Sequence, residues 1–263
     1  MELSTQDAVL TDKELSKENL EALINREVLV LRIPGFIDSE ACRVISNGLR
    51  NHGYSDYLNA PSLGRIGMSY FETARKPEII EHYFNTAIQN IKILRSACYP
   101  YPCPIDTFRC VMDEQWPAGC NLQNLYNKKM FVGLSRCMKP GIPLLAHHDM
   151  FGRHAPNTPE TDSLISQFGV NIYVDVPEAG GELAIWLDEV TDEEFLHRRG
   201  SQYGMSIEPL GEPDMTVKPE NGDLILFNAR KLHAVLAGSG TERLTISAFF
   251  GYRGDSSPLS VWS

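Results

Sequence analysis

Two textures follow one another along the chain. Between residues 76 and 100, KPEIIEHYFNTAIQNIKILRSACYP, the apolar positions Ile80, Phe84, Ala87, Ile88, Ile91 and Leu94 recur at helical spacing. That spacing predicts an amphipathic helix, and Pro77 suits its first turn. A helix is also expected over 38–53, with Asp38 as N-cap and Gly53 as stop, and another over 104–114. The β-branched run REVLVLRIPGF (27–37), halted by Pro-Gly, predicts a strand, while 52–76 reads as irregular. After residue 128 short apolar runs take over, at 130–138, 142–150, 168–176, 181–187, 223–228, 232–237 and 243–252. Turns rich in Gly and Pro separate them, which predicts a β sandwich or barrel. Two longer polar connections, 151–166 and 188–214, read as loops or lids. No repeat or linker divides the chain. The expectation is a single domain over 1–263, mainly β, in which a helical N-terminal layer (1–128) supports a barrel core (129–255).

Composition narrows the function classes. The chain has 263 residues, 43% hydrophobic and 22% charged, which is ordinary for a globular protein. The formal net charge of -10 argues against nucleic acid as a partner, because phosphate binding needs a basic surface. The acid excess leans toward a cationic small-molecule substrate such as lysine or arginine. The first residues, MELSTQDAVLTDKELSKENLEALI, lack the apolar core of a secretory signal. No apolar run approaches the roughly 18 residues that span a bilayer. A cytoplasmic protein without membrane association is expected. Cysteines at 42, 98, 103, 110, 120 and 137 form no CxxC pair and read as free thiols.

The chemistry concentrates in LLAHHDMFGRHAP (144–156), where an apolar run breaks into two histidines and an aspartate. A lone His-x-Asp is weak, and a polar strand end is its bland reading. Strand periodicity sharpens it, since residues i and i+2 share a face. Leu145, His147 and Asp149 then lie on one face, and Leu144, Ala146, His148 and Met150 on the other. His147 and Asp149 can converge on one metal ion, with His148 as spacer and His154 as a loop residue. A later strand offers a third ligand, His233, in GDLILFNARKLHAVLAGSGTERLTIS. Two imidazoles and one carboxylate leave three positions open, the arrangement of non-haem Fe(II) oxygenases. Arg243, across a turn from His233, points into an apolar barrel and needs an anion. Its fork fits a carboxylate, and Thr245 shares its face.

The set His147-x-Asp149, His233, Arg243 and Thr245 resembles the Fe(II)- and 2-oxoglutarate-dependent oxygenases. The core of the resemblance spans 130–252. It implies a double-stranded β-helix, or jelly roll, with His147, Asp149 and His233 as iron ligands. It implies Arg243 and Thr245 as the holders of one carboxylate of 2-oxoglutarate. The cosubstrates would be 2-oxoglutarate and O2, and the products succinate, CO2 and a hydroxylated small molecule. VPEAGGELAIW (176–186), GDLILFNARKLHAV and the terminal VWS are similar to the branch acting on freestanding amino acids and natural products, which includes halogenases. Halogenases replace the HxD carboxylate with Gly or Ala, so retention of Asp149 favours hydroxylation.

Other residues carry two readings. Arg136 is either a binder of substrate or cosubstrate carboxylate or a surface arginine. Asn171 and Tyr173 share a face and are candidates for the cosubstrate side, with packing the alternative for Tyr173. Trp186, Phe227, Phe249 and Phe250 offer walls for a dry pocket, with Trp186 a candidate substrate contact. Asn228 and Arg230 are placed to orient His233 or line the mouth, and Glu182 to meet a cationic group. Three further functions stay open: a protein or peptide side chain as substrate, a non-catalytic metal-binding jelly roll, and a hydrolytic zinc enzyme.

Overall fold

A computed structural model describes residues 8–60, 62–188 and 190–263. Residues 1–7, read above for a secretory signal, lie outside the described residues, as does position 189 in the second insertion. Two sheets face each other. The larger runs Val9–Thr11, Val30–Ile33, Leu224–Asn228, Ser166–Asp175, Arg243–Tyr252, Leu134–Met138, Leu63–Ile66 and Ser55–Asp56 in spatial order. Leu259–Trp262 pairs with Arg243–Tyr252 and with Cys120–Leu122. The smaller sheet has the order Met215–Val217, Leu183–Trp186, Leu232–Val235 and Leu144–His147. The architecture is mainly β, a double-stranded β-helix with helices against its larger sheet.

The two faces of the large sheet explain why its strands read as unbroken apolar runs. Val170, Ile172, Leu224, Leu226, Ile246 and Phe250 pack outward against Ile45, Leu49, Leu94, Ile105 and Phe108 of the helices. The alternate residues, among them Asn171, Thr245, Ser247, Phe227 and Phe249, line the barrel interior. Both faces are therefore covered, the condition that erases a simple apolar-polar alternation.

The helices form at Ser39–His52, Pro77–Cys98 and Pro104–Gln115. Asp38 caps the first, its carboxylate accepting from the Ala41 amide at 2.8 Å. The first two cross closely at Gly48, where an added Cβ would lie 1.9 Å from the Ala97 carbonyl oxygen. Gly48→Ala should therefore destabilise by about 1–3 kcal/mol through overpacking, although helix propensity alone favours alanine by about 1 kcal/mol. A urea unfolding midpoint gives the sign.

The N-terminal region is less purely helical than its periodicity implied. Val30–Ile33 pairs with Leu224–Asn228 and extends the large sheet. The stretch expected to be irregular, 52–76, contains Ser55–Asp56 and Leu63–Ile66, which close the sheet's other edge. The 188–214 insertion contains the helix Asp192–Arg199, whose cap is the Thr191 hydroxyl accepting from the Glu194 amide. All six cysteines are unpaired. Among the described residues no helix is long and apolar enough to cross a membrane.

Candidate metal centre and its two chambers

His147 and His233 are direct cross-strand partners on the smaller sheet. Their rings stand 4.3 Å apart. The strand expected over 142–150 ends at His147, so Asp149 follows two residues beyond it. There the Asp149 amide donates to the Ala229 carbonyl at 2.8 Å, which fixes its backbone beside His233. Asp149 Oδ2 lies 3.4 Å from His233 Nε2 and 3.8 Å from His147 Nε2. All three donor atoms fall within 4.8 Å of one another. An ion held at about 2.0–2.2 Å from each donor needs them roughly 3 Å apart, so a small inward movement completes the shell.

The tautomers are set by the backbone. His147 Nδ1 bonds the Leu145 carbonyl at 2.7 Å, and His233 Nδ1 bonds the Lys231 carbonyl at 2.9 Å. Each Nδ1 carries the proton, leaving Nε2 as a lone pair turned to the metal position. Burial, with His233 alongside, pushes His147 down to about 4 and keeps the ring neutral. Burial opposes ionisation of Asp149, but the two imidazoles and Arg136 outweigh it and hold the carboxyl below its ordinary range.

A register shift lies between His233 and Val235, whose partners are His147 and Leu144. Three steps on one strand face two on the other, a β-bulge that turns both Leu144 and His147 toward the cavities. Strict alternation had put Leu144 on the opposite face. The pairing of His147 with Asp149 and the exclusion of His148 agree with the period-two reading. His148 instead accepts from Arg153 Nη2 at 2.7 Å and stacks against Phe195 at 4.6 Å. Burial and Arg153 push its ring down to about 4, the neutral state that can accept that bond.

Two chambers meet at Asp149, Arg136, Leu144 and Phe249. The inner one is bounded by His233 and Phe227 on one side and Asn171, Arg243, Thr245 and Ser247 on the other. Arg243 is 6% exposed. Its guanidinium stands 4.9 Å from the Tyr173 ring centroid, and Nη2 donates to the Tyr173 hydroxyl at 3.5 Å. Nε is buried with no partner, and no described carboxylate pairs with the group. Burial lowers its pKa from the usual arginine value. Ser247 Oγ donates to Asn171 Oδ1 at 2.7 Å and stands 3.3 Å from Thr245 Oγ1, a polar patch beside the guanidinium.

The outer chamber opens between the two insertions and includes Tyr57, Phe151, Arg153, Phe195, Arg199 and Tyr203. Arg136 lies in its wall, half-buried, and donates Nε to Tyr57 Oη at 2.9 Å. His154 is there too, edge-on to Phe71 at 5.2 Å and outside the metal group.

The other expected site residues are not brought here. Ile185, not Trp186, is the cross-strand partner of His233. Trp186 therefore points to the outer side of the smaller sheet, where it packs with Ala146, Ala184 and Phe195. Its indole N–H donates to the Gly211 carbonyl at 3.3 Å. Asn228 turns to the Arg230 amide, accepting it at 3.0 Å, and lines neither chamber. Arg230 is not a free surface group, since it ties down the Leu164 and Ile165 carbonyls. Phe250 stacks on Phe168 at 4.6 Å, outside the barrel. Glu182 pairs with Lys218 at 3.4 Å, away from both chambers.

A sequence model of the 2OG-Fe(II) oxygenase superfamily matches residues 133–251, the stretch that carries the triad and Arg243. That stretch, just under half of the chain, is similar to the 2OG-Fe(II) oxygenase superfamily. A relative within reach of sequence comparison is L-gamma-glutamyl-L-propargylglycine hydroxylase of Streptantibioticus cattleyicolor. It is 27% identical over 165 residues, 62% of this chain and 59% of the relative, so the match spans well under two thirds of that protein. Among solved structures, an N-substituted L-amino acid dioxygenase from Burkholderia ambifaria overlays with a TM-score of 0.65 at 17% identity. The overlay covers 94% of this chain and 91% of that one. The same enzyme in complex with alpha-KG gives 0.65 at 16% identity. These overlays establish the fold.

Both groups the superfamily uses fit these residues. Two imidazoles and a carboxylate on one side of a cavity suit Fe(II) with positions left open. A buried guanidinium with an unpartnered Nε, beside hydroxyls, suits one end of a dicarboxylate.

Proposed function

We propose that the protein is a 2-oxoglutarate- and Fe(II)-dependent dioxygenase that hydroxylates an unactivated C–H of a small amino-acid-type substrate, releasing succinate and CO2. The observation that carries this reading is Arg243. It shares the inner chamber with Asp149 and His233, and its buried charge has no counter-ion among the described residues. A guanidinium kept in that state needs an anionic ligand.

His147, Asp149 and His233 would hold Fe(II) on one side, leaving the remaining positions to cosubstrate and O2. Arg243 and Thr245 would grip the far carboxylate of 2-oxoglutarate, with Asn171 beside them. When bound, Fe(II) and 2-oxoglutarate supply the oxidation that decarboxylates the cosubstrate and oxidises the C–H bond. The chain's part is placement. Leu144, Phe227 and Phe249 keep water from the reacting space, and Arg136, facing both chambers, orients a carboxylate near the metal.

The names of the hydroxylase relative and of the dioxygenase with the same fold support an amino-acid derivative as substrate. Phe151 and Arg153 of one insertion and Phe195 and Arg199 of the other roof the outer chamber. That roof favours a small ligand over a polypeptide in a groove. A screen for succinate release with Fe(II), 2-oxoglutarate and a panel of free and N-substituted amino acids tests the proposal. Substrate-stimulated succinate with a product heavier by one oxygen is expected. Tightly held zinc without affinity for 2-oxoglutarate would point to the non-catalytic metal protein instead.

A further inference from the structure

The outer chamber has the opposite charge to the chain. Acidic residues outnumber basic ones by 34 to 24 overall. Among the described side chains lining this chamber, however, Asp149 is the one carboxylate, and it belongs to the metal triad. Three arginines line the same space. Arg153 is neutralised, with Nη2 placed 2.5 Å from Asp192 Oδ1, a contact that also fastens the two insertions together. The other two have no such counter-ion. Arg136 spends Nε on Tyr57 Oη and pairs with no described carboxylate. Arg199 gives Nη1 to the Gln202 carbonyl at 2.5 Å, and its Nε is buried without a partner.

These two guanidiniums stand at different depths. Arg136, on the strand Leu134–Met138, also lines the inner chamber beside Asp149. Arg199 ends the helix Asp192–Arg199 and lines only the outer chamber. Leu144, Phe151, Phe249 and Trp262 supply apolar wall in the same chamber. Partly desolvated guanidiniums in no direct ion pair favour carboxylates, which their fork takes bidentately. We propose that the substrate is an acylated amino acid or dipeptide with a carboxylate at each end. Arg136 takes the inner carboxylate, Arg199 takes the outer one, and an aliphatic middle lies against the apolar wall. This rests on the oxygenase reading for the reaction and names the substrate class of that site. It also reverses the lean toward a cationic substrate drawn from net charge, because the acidic excess lies elsewhere than in this chamber.

The probe is L-γ-glutamyl-L-norvaline, compared with two isosteric derivatives in which one or the other carboxylate is a carboxamide. Succinate formation is followed with the Fe(II)-loaded full chain and 2-oxoglutarate, and binding by thermal stabilisation without O2. Each amide should lose about tenfold or more in kcat/KM and in stabilisation. Arg199→Gln should raise KM for the dipeptide about tenfold at similar kcat and abolish discrimination against the outer-end amide, and Arg199→Lys should restore part of it. Amides that bind and turn over like the parent, or no stabilisation by any probe, would overturn the proposal. So would an Arg136→Gln variant that raises KM for 2-oxoglutarate and leaves that for the dipeptide unchanged. Charge-dependent binding without oxidation would instead count against the hydroxylase reading and leave the two-anchor pocket standing.

Discussion

Arg243→Ala is expected to raise KM for 2-oxoglutarate about a hundredfold or more while the protein still takes up one iron. Removing one partner of a buried charged contact costs about 2–5 kcal/mol, a factor of about 30 to several thousand that brackets the hundredfold loss. Arg243→Lys should fall between, because an ammonium is a point charge and cannot fork around a carboxylate. The same alanine variant should be at least as stable as the parent protein without cosubstrate. The guanidinium is buried, its Nε lacks a partner, and no described carboxylate offsets it, so its loss removes an uncompensated charge. The 2-oxoglutarate dependence of succinate formation and a thermal melt without cosubstrate check the two halves. A melt that drops sharply would assign Arg243 a structural role.

His147→Ala should abolish stoichiometric iron binding and reduce turnover about a thousandfold, whereas His148→Ala should retain iron. A side chain that binds the ion directly matters more than the outer partners, whose loss costs about 10- to 100-fold. The two histidines are adjacent in sequence and alike in composition, so the pair isolates geometry. His147 Nε2 faces Asp149 and His233, while His148 Nε2 faces Arg153. Iron content after dialysis is the readout. Retention of iron by the first variant and loss by the second would reverse the ligand assignment.

The grouping of His147 with Asp149 was legible because strand periodicity acts over two residues, and His147-x-Asp149 needs no more than that. Arg243 was legible for a different reason: a strand opening on arginine after a turn, in an otherwise apolar run, has few explanations. What alternation could not supply was pairing. Trp186 was placed in the pocket because an aromatic on a barrel strand has two possible faces. Only the register Ile185 with His233 shows that Trp186 takes the outer one. The bulge beside His147 is invisible for the same reason, and it brings Leu144 into the cavity wall.

Arg153 and Arg199 were missed because they sit in insertions without periodicity. Their positions depend on Asp192, Phe195 and His148, which meet only in three dimensions. An acidic triplet after Thr191 and a basic one before Gly200 did mark a short helix. Net charge is a weak guide to the substrate because it sums the whole surface, whereas recognition depends on the few groups that face the pocket. The β-branched run at 27–37 did mark the strand Val30–Ile33, whereas Leu63–Ile66 was hidden because it is short and its Leu134–Met138 partner lies far away in sequence.

The central claim is that the triad and Arg243 hold a metal and a dicarboxylate across one cavity. A calorimetric titration of 2-oxoglutarate into the protein without O2, with and without Fe(II), tests it most directly. The account predicts one equivalent bound, strongly only with Fe(II), and lost in Arg243→Ala. Equal binding without metal, or no binding in its presence, would contradict it.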